Sequence, residues 1–210
     1  MLLFSQQVEE NALVNASAVC CDAEQLAFKS ESVDLIFSTS TFQWSENLNQ
    51  IFTECSRILK PDGVLVFTTF GPDTLKELRH SWAKVDQNDH VHNFIDMHNI
   101  GDMLLANYYA DPVVDMEVIT LEYQQAQKLL RDLKDTGSRG KFVPGDEGVS
   151  SGLMGKGKFR EFERAYEHYR QKNGLLPASY EVIYGFARKP LSKLDKNGSG
   201  EVRIPVNQIK

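Results

Sequence analysis

Residues 33–70 read VDLIFSTSTFQWSENLNQIFTECSRILKPDGVLVFTTF. Val33 to Ser38 is a short apolar run with a Ser/Thr-rich end, the pattern of a buried strand. Leu48, Ile51, Phe52, Cys55, Ile58 and Leu59 then recur at helical spacing on one stripe, with Ser45 placed to cap the helix. Lys60-Pro61-Asp62-Gly63 has turn chemistry. Val64 to Phe70 is a continuous β-branched and aromatic run, as central parallel strands are. Strand, helix and strand in this order imply a right-handed parallel crossover, and so an α/β sheet.

Working outward, Ala18 to Cys21 is a further apolar run, closed by Asp22, and residues 1–10 read as the end of a helix. Downstream, Asp73 is placed to cap a helix running to about Val85, with Leu75, Leu78 and Trp82 on one stripe. A helix over Met97 to Asn107 follows. Val113 to Tyr123 alternates apolar and polar residues, which predicts an antiparallel or edge strand. Gln124 to Lys134 is helical, as is Lys158 to Lys172 with its stripe of Phe159, Phe162, Tyr166 and Tyr169. Tyr180 to Ala187 is the last strand. Residues 135–157 show no periodicity, and a loop of that length inside a domain is usually functional or disordered.

The 210 residues are 41% hydrophobic and 25% charged, a globular composition that excludes a disordered tail or a disulfide miniprotein. No apolar run approaches the roughly 20 residues of a membrane span, and MLLFSQQVEE has neither the basic region nor the cleavage site of a signal peptide. Cys20, Cys21 and Cys55 make an odd count that suits a reducing cytoplasm. The net charge of −6 hides a split: residues 1–127 carry −13 and residues 128–210 carry +7. Such asymmetry suits a basic face for an acidic partner, and equally two solvated faces of one domain.

Several motifs fall short of a site. Gly152 to Lys158 approaches a P-loop, but Phe159 stands where a Ser/Thr must hold Mg²⁺. Asp195 to Val202 resembles the first half of a calcium loop, yet Val206 occupies the position of the bidentate Glu. His90, His92 and His98 lie near Asp89 and Asp96 without a recurring third ligand. No G-x-S-x-G elbow or Cys/His constellation is present.

What remains is the edge where strands end. In doubly wound sheets ligands bind at the carboxyl ends of strands, and Asp22-Ala23, Ser38-Thr39 and Thr69-Phe70 each end one. A carboxylate there can accept from an exocyclic amine while the next N–H donates to a ring nitrogen, which describes an adenine site. The same residues equally suit a capped turn and satisfied strand ends.

Asp22-Ala-Glu-Gln-Leu-Ala-Phe28, Phe37-Ser-Thr-Ser-Thr-Phe-Gln-Trp44 and Ile58 through Phe70 resemble the middle of class I S-adenosylmethionine-dependent methyltransferases. Within them the chain looks like the BioC group, the malonyl-acyl-carrier-protein O-methyltransferases of biotin synthesis. That closer likeness rests on Gln43-Trp44, on Phe70 through Arg79, on Leu133 through Arg139 and on Leu176 through Gly185. The family's sheet opens with a strand, a Gly-rich turn for the methionine end of the cofactor, a helix and a strand ending in an acid. No glycine precedes Gly63, so the resemblance implies a chain that begins inside the domain, after that turn.

The resemblance implies a partial Rossmann-like methyltransferase sheet, mostly parallel with antiparallel last strands, helices on both faces and a helical and loop insertion before the last strand. Residues 1–190 form the domain, with the insertion or lid at about 124–172, and 191–210 a tail. S-adenosylmethionine is the implied cofactor, held by Asp22, Ala23, Ser38 and Thr39. Gln43 and Trp44 wall the substrate side, although Trp44 equally suits a core, and Arg139 is placed to hold the substrate carboxylate or to be a solvated loop residue. No residue acts as catalytic base. The partner is an acidic acyl carrier protein, steered by Lys128, Arg131, Lys134, Arg139, Lys141, Lys156, Lys158, Arg160, Arg164, Arg170 and Lys172. An exposed edge along the Ala18 and Val33 strands predicts poor solubility or a dimer through it. Alternatives are a non-catalytic remnant or binding module, and a relative acting on a quinone precursor or an assembly factor.

Overall fold

In the computed structural model, residues 16–136 and 156–191 are described. Strand β1 (Val33–Thr39) leads through a 3₁₀ turn (Phe42–Trp44) to helix α1 (Leu48–Ile58) and strand β2 (Leu59–Phe70). Helices α2 (Lys76–Trp82) and α3 (Met97–Ala106), strand β3 (Ala110–Tyr123), helices α4 (Ala126–Asp135) and α5 (Lys156–Glu167) and strand β4 (Leu176–Arg188) follow. The strands form one sheet in the order β1-β2-β4-β3. The chain divides into two compact units. The first takes the described residues up to Val66, Met103–Pro112 and those from Phe186 onward; the second takes Phe67–Asp102 and the rest of Val113–Gly185.

The first unit is built on the apolar stripe of α1. Leu48, Ile51, Phe52, Cys55 and Ile58 are all buried, as their helical spacing predicts. Phe42 meets Phe52 edge-on at 6.1 Å, and the buried Tyr109 hydroxyl donates to Phe52 O at 3.0 Å. Removal from water pushes the Cys55 thiol up to about 12 and raises the Tyr109 phenol, so neither ionises. On the outer side of α1, Arg57 donates to Leu26 O and Phe28 O at 2.9 and 2.8 Å while Glu54 accepts from Leu26 N at 2.9 Å. Two charged side chains thereby fasten the segment before β1 to the helix.

Three local expectations fail here. The cap of α1 is Asn47, whose Oδ1 accepts from Gln50 N at 3.1 Å, and not Ser45. Lys60 to Gly63 is part of β2, with Asp62 rather than a turn absorbing the left-handed φ of 66°. Ala18 to Cys21 forms no strand, and Val19 is 54% exposed; a strand needs a hydrogen-bonded neighbour, and β1 ends the sheet order. For the same reason β1 is not buried: Leu35 and Phe37 are 59% and 68% exposed.

The second unit packs Leu75, Leu78, Trp82, Leu129, Phe162 and Tyr166 with Leu176 and Ala178 into one apolar cluster. Trp82 is sandwiched between Phe162 and His90, with ring centroids 4.3 and 4.2 Å away. Helix α2 is not capped by Asp73, which instead pairs with Lys76 Nζ at 2.8 Å. The residue before the helix is Leu75, with φ of 53° and no side-chain cap. The Gly71–Leu75 loop is fixed by β4 instead. Gly71 N donates to Glu181 O at 2.9 Å, Leu75 N to Ser179 O at 2.6 Å and Asp73 N to Glu181 Oε2 at 2.7 Å. Ser179 in turn donates through N and Oγ to the buried Glu77 carboxylate at 3.1 and 2.5 Å.

Candidate functional site

A cavity of about 350 Å³ in the first unit is lined by Asp22, Ala23, Glu24, Thr41, Trp44, Ser45, Glu46 and Ile51. This is within the range of small-ligand pockets. Its rim is a tight turn: Gln25 N donates to Asp22 O at 3.1 Å and Glu24 N to Asp22 Oδ1 at 2.9 Å. One oxygen of Asp22 thus closes its own turn, while Oδ2 and the half-buried Ala23 N–H have no partner among the described residues. A carboxylate has two oxygens, so closing its own turn leaves Asp22 Oδ2 available.

Glu24 ties this rim to the opposite wall. Its Oε1 accepts from Glu46 N at 3.0 Å and from Asn47 N at 2.9 Å, and its main-chain O accepts from Gln50 Nε2 at 3.3 Å. The carboxylate therefore sits at the N-terminus of α1, where charge and unpaired N–H groups both favour it. Trp44, 47% exposed, and Thr41 form the second wall, and the buried Ile51 is the floor. Ser45 Oγ is buried with no hydrogen-bond partner, a hydroxyl that a ligand in the cavity could satisfy.

Asp22, Glu24 and Glu46 line the cavity and no Lys or Arg does. Such a lining attracts hydrogen-bond donors and positive charge and repels phosphate. It suits a nucleoside bearing a cation and disfavours a nucleotide. Asp22, Ala23, the free Ser45 hydroxyl and the Trp44 wall fit the nucleoside half of S-adenosylmethionine.

Of the residues expected at the site, Asp22, Ala23 and Trp44 come together. Ser38 is half-buried in β1 and Thr39 gives its carbonyl to Thr41 Oγ1 at 3.0 Å; neither lines the cavity. Gln43 also stands outside the lining, its Nε2 on Ser40 O at 2.5 Å and its Oε1 buried without a partner. Arg139 and Lys141 lie outside the described residues, as do the motifs beginning at Gly152 up to Gly155 and at Asp195. Sequence reasoning missed Glu24, although it directly follows the quoted Asp22-Ala23 pair, because its partners are two N–H groups more than twenty positions on.

Elsewhere, His90 Nε2 meets Asp86 Oδ1 at 2.7 Å, and Lys158 Nζ reaches Asp86 Oδ2 at 3.2 Å. No group of three metal-binding side chains occurs among the described residues. Lys128, Arg131 and Lys134 on α4, and Arg160 and Arg164 on α5, are exposed, with Arg170 and Lys172 just beyond. Among the described residues Arg131, Lys134, Arg160, Arg164 and Lys172 have no acidic partner, whereas Arg170 is held by Glu167 at 2.5 Å. No described helix is long and apolar enough to cross a membrane.

A family model described as a methyltransferase domain matches residues 1–67. A protein of Coxiella burnetii named malonyl-[acyl-carrier protein] O-methyltransferase 1 is 47% identical over 185 residues, 88% of this chain and 64% of that protein. A Gallionella capsiferriformans protein named malonyl-[acyl-carrier protein] O-methyltransferase is 42% identical over 88% of this chain and 62% of its own length. The chain thus spans less than two thirds of these relatives. Among solved structures, the YcgJ protein of Bacillus subtilis superposes with a TM-score of 0.58 at 16% identity, covering 89% of this chain and 76% of that one. The fold is accordingly the Rossmann-like α/β fold, with a four-stranded sheet among the described residues.

Proposed function

We propose that this chain is a class I S-adenosylmethionine-dependent methyltransferase, as its likeness to a methyltransferase domain model and to its curated relatives supports, and that it takes part in methylating the free carboxylate of a malonyl group carried by an acyl carrier protein in the cytoplasm. The observation that carries the reading is the acid-lined, phosphate-excluding cavity built on Asp22, Ala23 and Trp44. S-adenosylmethionine, when bound, supplies an electrophilic methyl group on a sulfonium.

The acceptor carboxylate is ionised near pH 7 and needs no base. Asp22 Oδ2 would accept from the adenine amine, Ala23 N–H would donate to the ring and Ser45 Oγ would complete the polar contacts. Trp44 excludes water from one side, so the chain contributes alignment and desolvation. The cations of α4 and α5 steer the acidic carrier, which makes that encounter salt-dependent.

Transfer of labelled methyl from S-adenosylmethionine to malonyl carrier protein tests the reading, with a loss of rate from low to high salt as the expected result. The exposed Arg131, Lys134, Arg160 and Arg164 favour a second reading. In it the chain docks the carrier without turnover. Calorimetry separates the two: heat on adding S-adenosylmethionine supports the enzyme, and none supports the docking module. We further propose that the exposed β1 edge pairs with a second copy of the chain.

A further inference from the structure

Arg79, in the middle of α2, is a half-buried guanidinium without an anion. Its bonds go only to main-chain carbonyls: Nη1 to Pro72 O at 2.8 Å, Nη2 to Thr74 O at 3.1 Å and Nη2 to His92 O at 3.4 Å. Its Nε is buried and has no partner. The acids around it are taken. Asp73 pairs with Lys76 Nζ at 2.8 Å, Glu77 accepts from Ser179, and Glu181 accepts from Asp73 N at 2.7 Å. Partly buried charges are normally paired, so an arginine held by carbonyls alone presents a positive charge in search of one.

The geometry also shows where an anion would enter. The Pro72 and Thr74 carbonyls fix the guanidinium plane, and the 3.4 Å contact to His92 O is the weakest of the three. Withdrawal of that carbonyl frees the edge formed by Nε and Nη2, which matches the two oxygens of a carboxylate. The segment that would move is aromatic. His92 packs on Phe94 at 6.3 Å, and Phe94 meets Phe70, at the end of β2, edge-on at 5.8 Å. Phe70 also touches Tyr180 of β4 at 5.9 Å. An apolar chain ending in a carboxylate is the ligand that such an arginine beside an aromatic cluster would take.

We propose that Arg79 binds the free carboxylate of the methyl acceptor through its Nε–Nη2 edge, in exchange for His92 O. This rests on the acceptor reading given above. Each carboxylate oxygen keeps a further lone pair, so the bidentate grip leaves the acceptor able to attack.

The test is calorimetry on the whole chain with two probes, malonyl-pantetheine and acetyl-pantetheine, in the presence of S-adenosylhomocysteine. A charge-assisted pair predicts that the unaltered chain prefers malonyl by about tenfold or more. R79Q should bring the two probes to within about twofold while leaving the acetyl affinity in place, since a hydrogen bond to a charged group is what it removes. A merely structural arginine would weaken both probes together, so a preference retained by R79Q overturns the proposal and leaves the acceptor reading standing. R79K covers the case in which R79Q does not fold: it keeps the charge but loses the fork, and a preference it leaves unchanged overturns the proposal as well. No preference in the unaltered chain overturns the acceptor reading, and the assignment of Arg79 falls with it.

Discussion

Gly71→Ala is the substitution whose cost follows most directly from the geometry. Gly71 does not have a left-handed φ, so alanine fits the backbone and any penalty is steric. A Cβ there would overlap the carboxyl carbon of Glu181 and come within 2.6 and 2.7 Å of its two oxygens. Glu181 is 5% exposed, and its main chain is held by Gly71 N at 2.9 Å and by Thr74 Oγ1 on both N and O at 3.1 and 3.2 Å. Only the carboxylate can give way, and in doing so it leaves the part-buried Asp73 N–H unpaired. Overpacking costs about 1–3 kcal/mol, and an orphaned donor about 1–3 kcal/mol. We expect a sum of about 3 kcal/mol, which for a chain of this size lowers the thermal midpoint by about 6–12 °C. Urea denaturation followed by circular dichroism measures it. The double variant sharpens the test: G71A/E181A should be no more than about 0.5 kcal/mol less stable than E181A alone, because the obstacle is gone. If the two single costs simply add, the collision between Gly71 and Glu181 is not the cause.

Glu24→Ala removes both bonds from Glu24 Oε1 to the N-terminus of α1 and should cost about 1 kcal/mol, with weaker binding of S-adenosylhomocysteine. An unaltered thermal midpoint and affinity would mean that Asn47 alone holds that end. The hydrogen bond from His90 beside Asp86, with further help from Asn88 N and Lys158, holds the Asp86 carboxyl down at about 2, against 3.8 unperturbed. A depressed carboxylate stabilises the fold above its unfolded value and loses that contribution as pH falls through the folded one. Asp86→Asn should therefore flatten acid unfolding between pH 3.8 and about 2, by about 1 kcal/mol once screening at the exposed Lys158 is allowed for; an unchanged acid limb would contradict it. Replacing Leu35 and Phe37 of β1 by Lys should shift the chain toward monomer in sedimentation. An unchanged mass distribution would mean that the edge does not pair.

The elements legible in the sequence are those whose pattern is local. The stripe from Leu48 to Ile58 has a period that only a helix satisfies, and all its members are buried. The apolar run from Val64 to Phe70 needed no partner to be read as a strand, and it lies inside β2. What failed depends on remote contacts. Ser45, Asn47 and Asp73 are all competent caps, and local chemistry does not rank them. Ser45 turns its hydroxyl into a cavity wall, Glu24 holds the N–H of Asn47, and the N–H of Asp73 is claimed by Glu181 from 108 residues away. The start of α2 is then left to Leu75 in a left-handed conformation, which no propensity would choose.

The site divides along the same line. Asp22, Ala23 and Trp44 lie in or beside tight turns written in consecutive residues, and the cavity contains them. Ser38 and Thr39 are expected there because they end a strand and lie in a motif of the resemblance, and a strand's end faces a ligand only if its neighbours set it there. Among the described residues β1 has a partner on one side, the first of its sheet order, and Ser38 and Thr39 stand outside the cavity lining. Glu24 was hidden for the converse reason. Its spacing from Asp22 gives no sign that its carboxylate reaches the start of α1, yet that reach joins rim to wall and makes a cavity out of two turns.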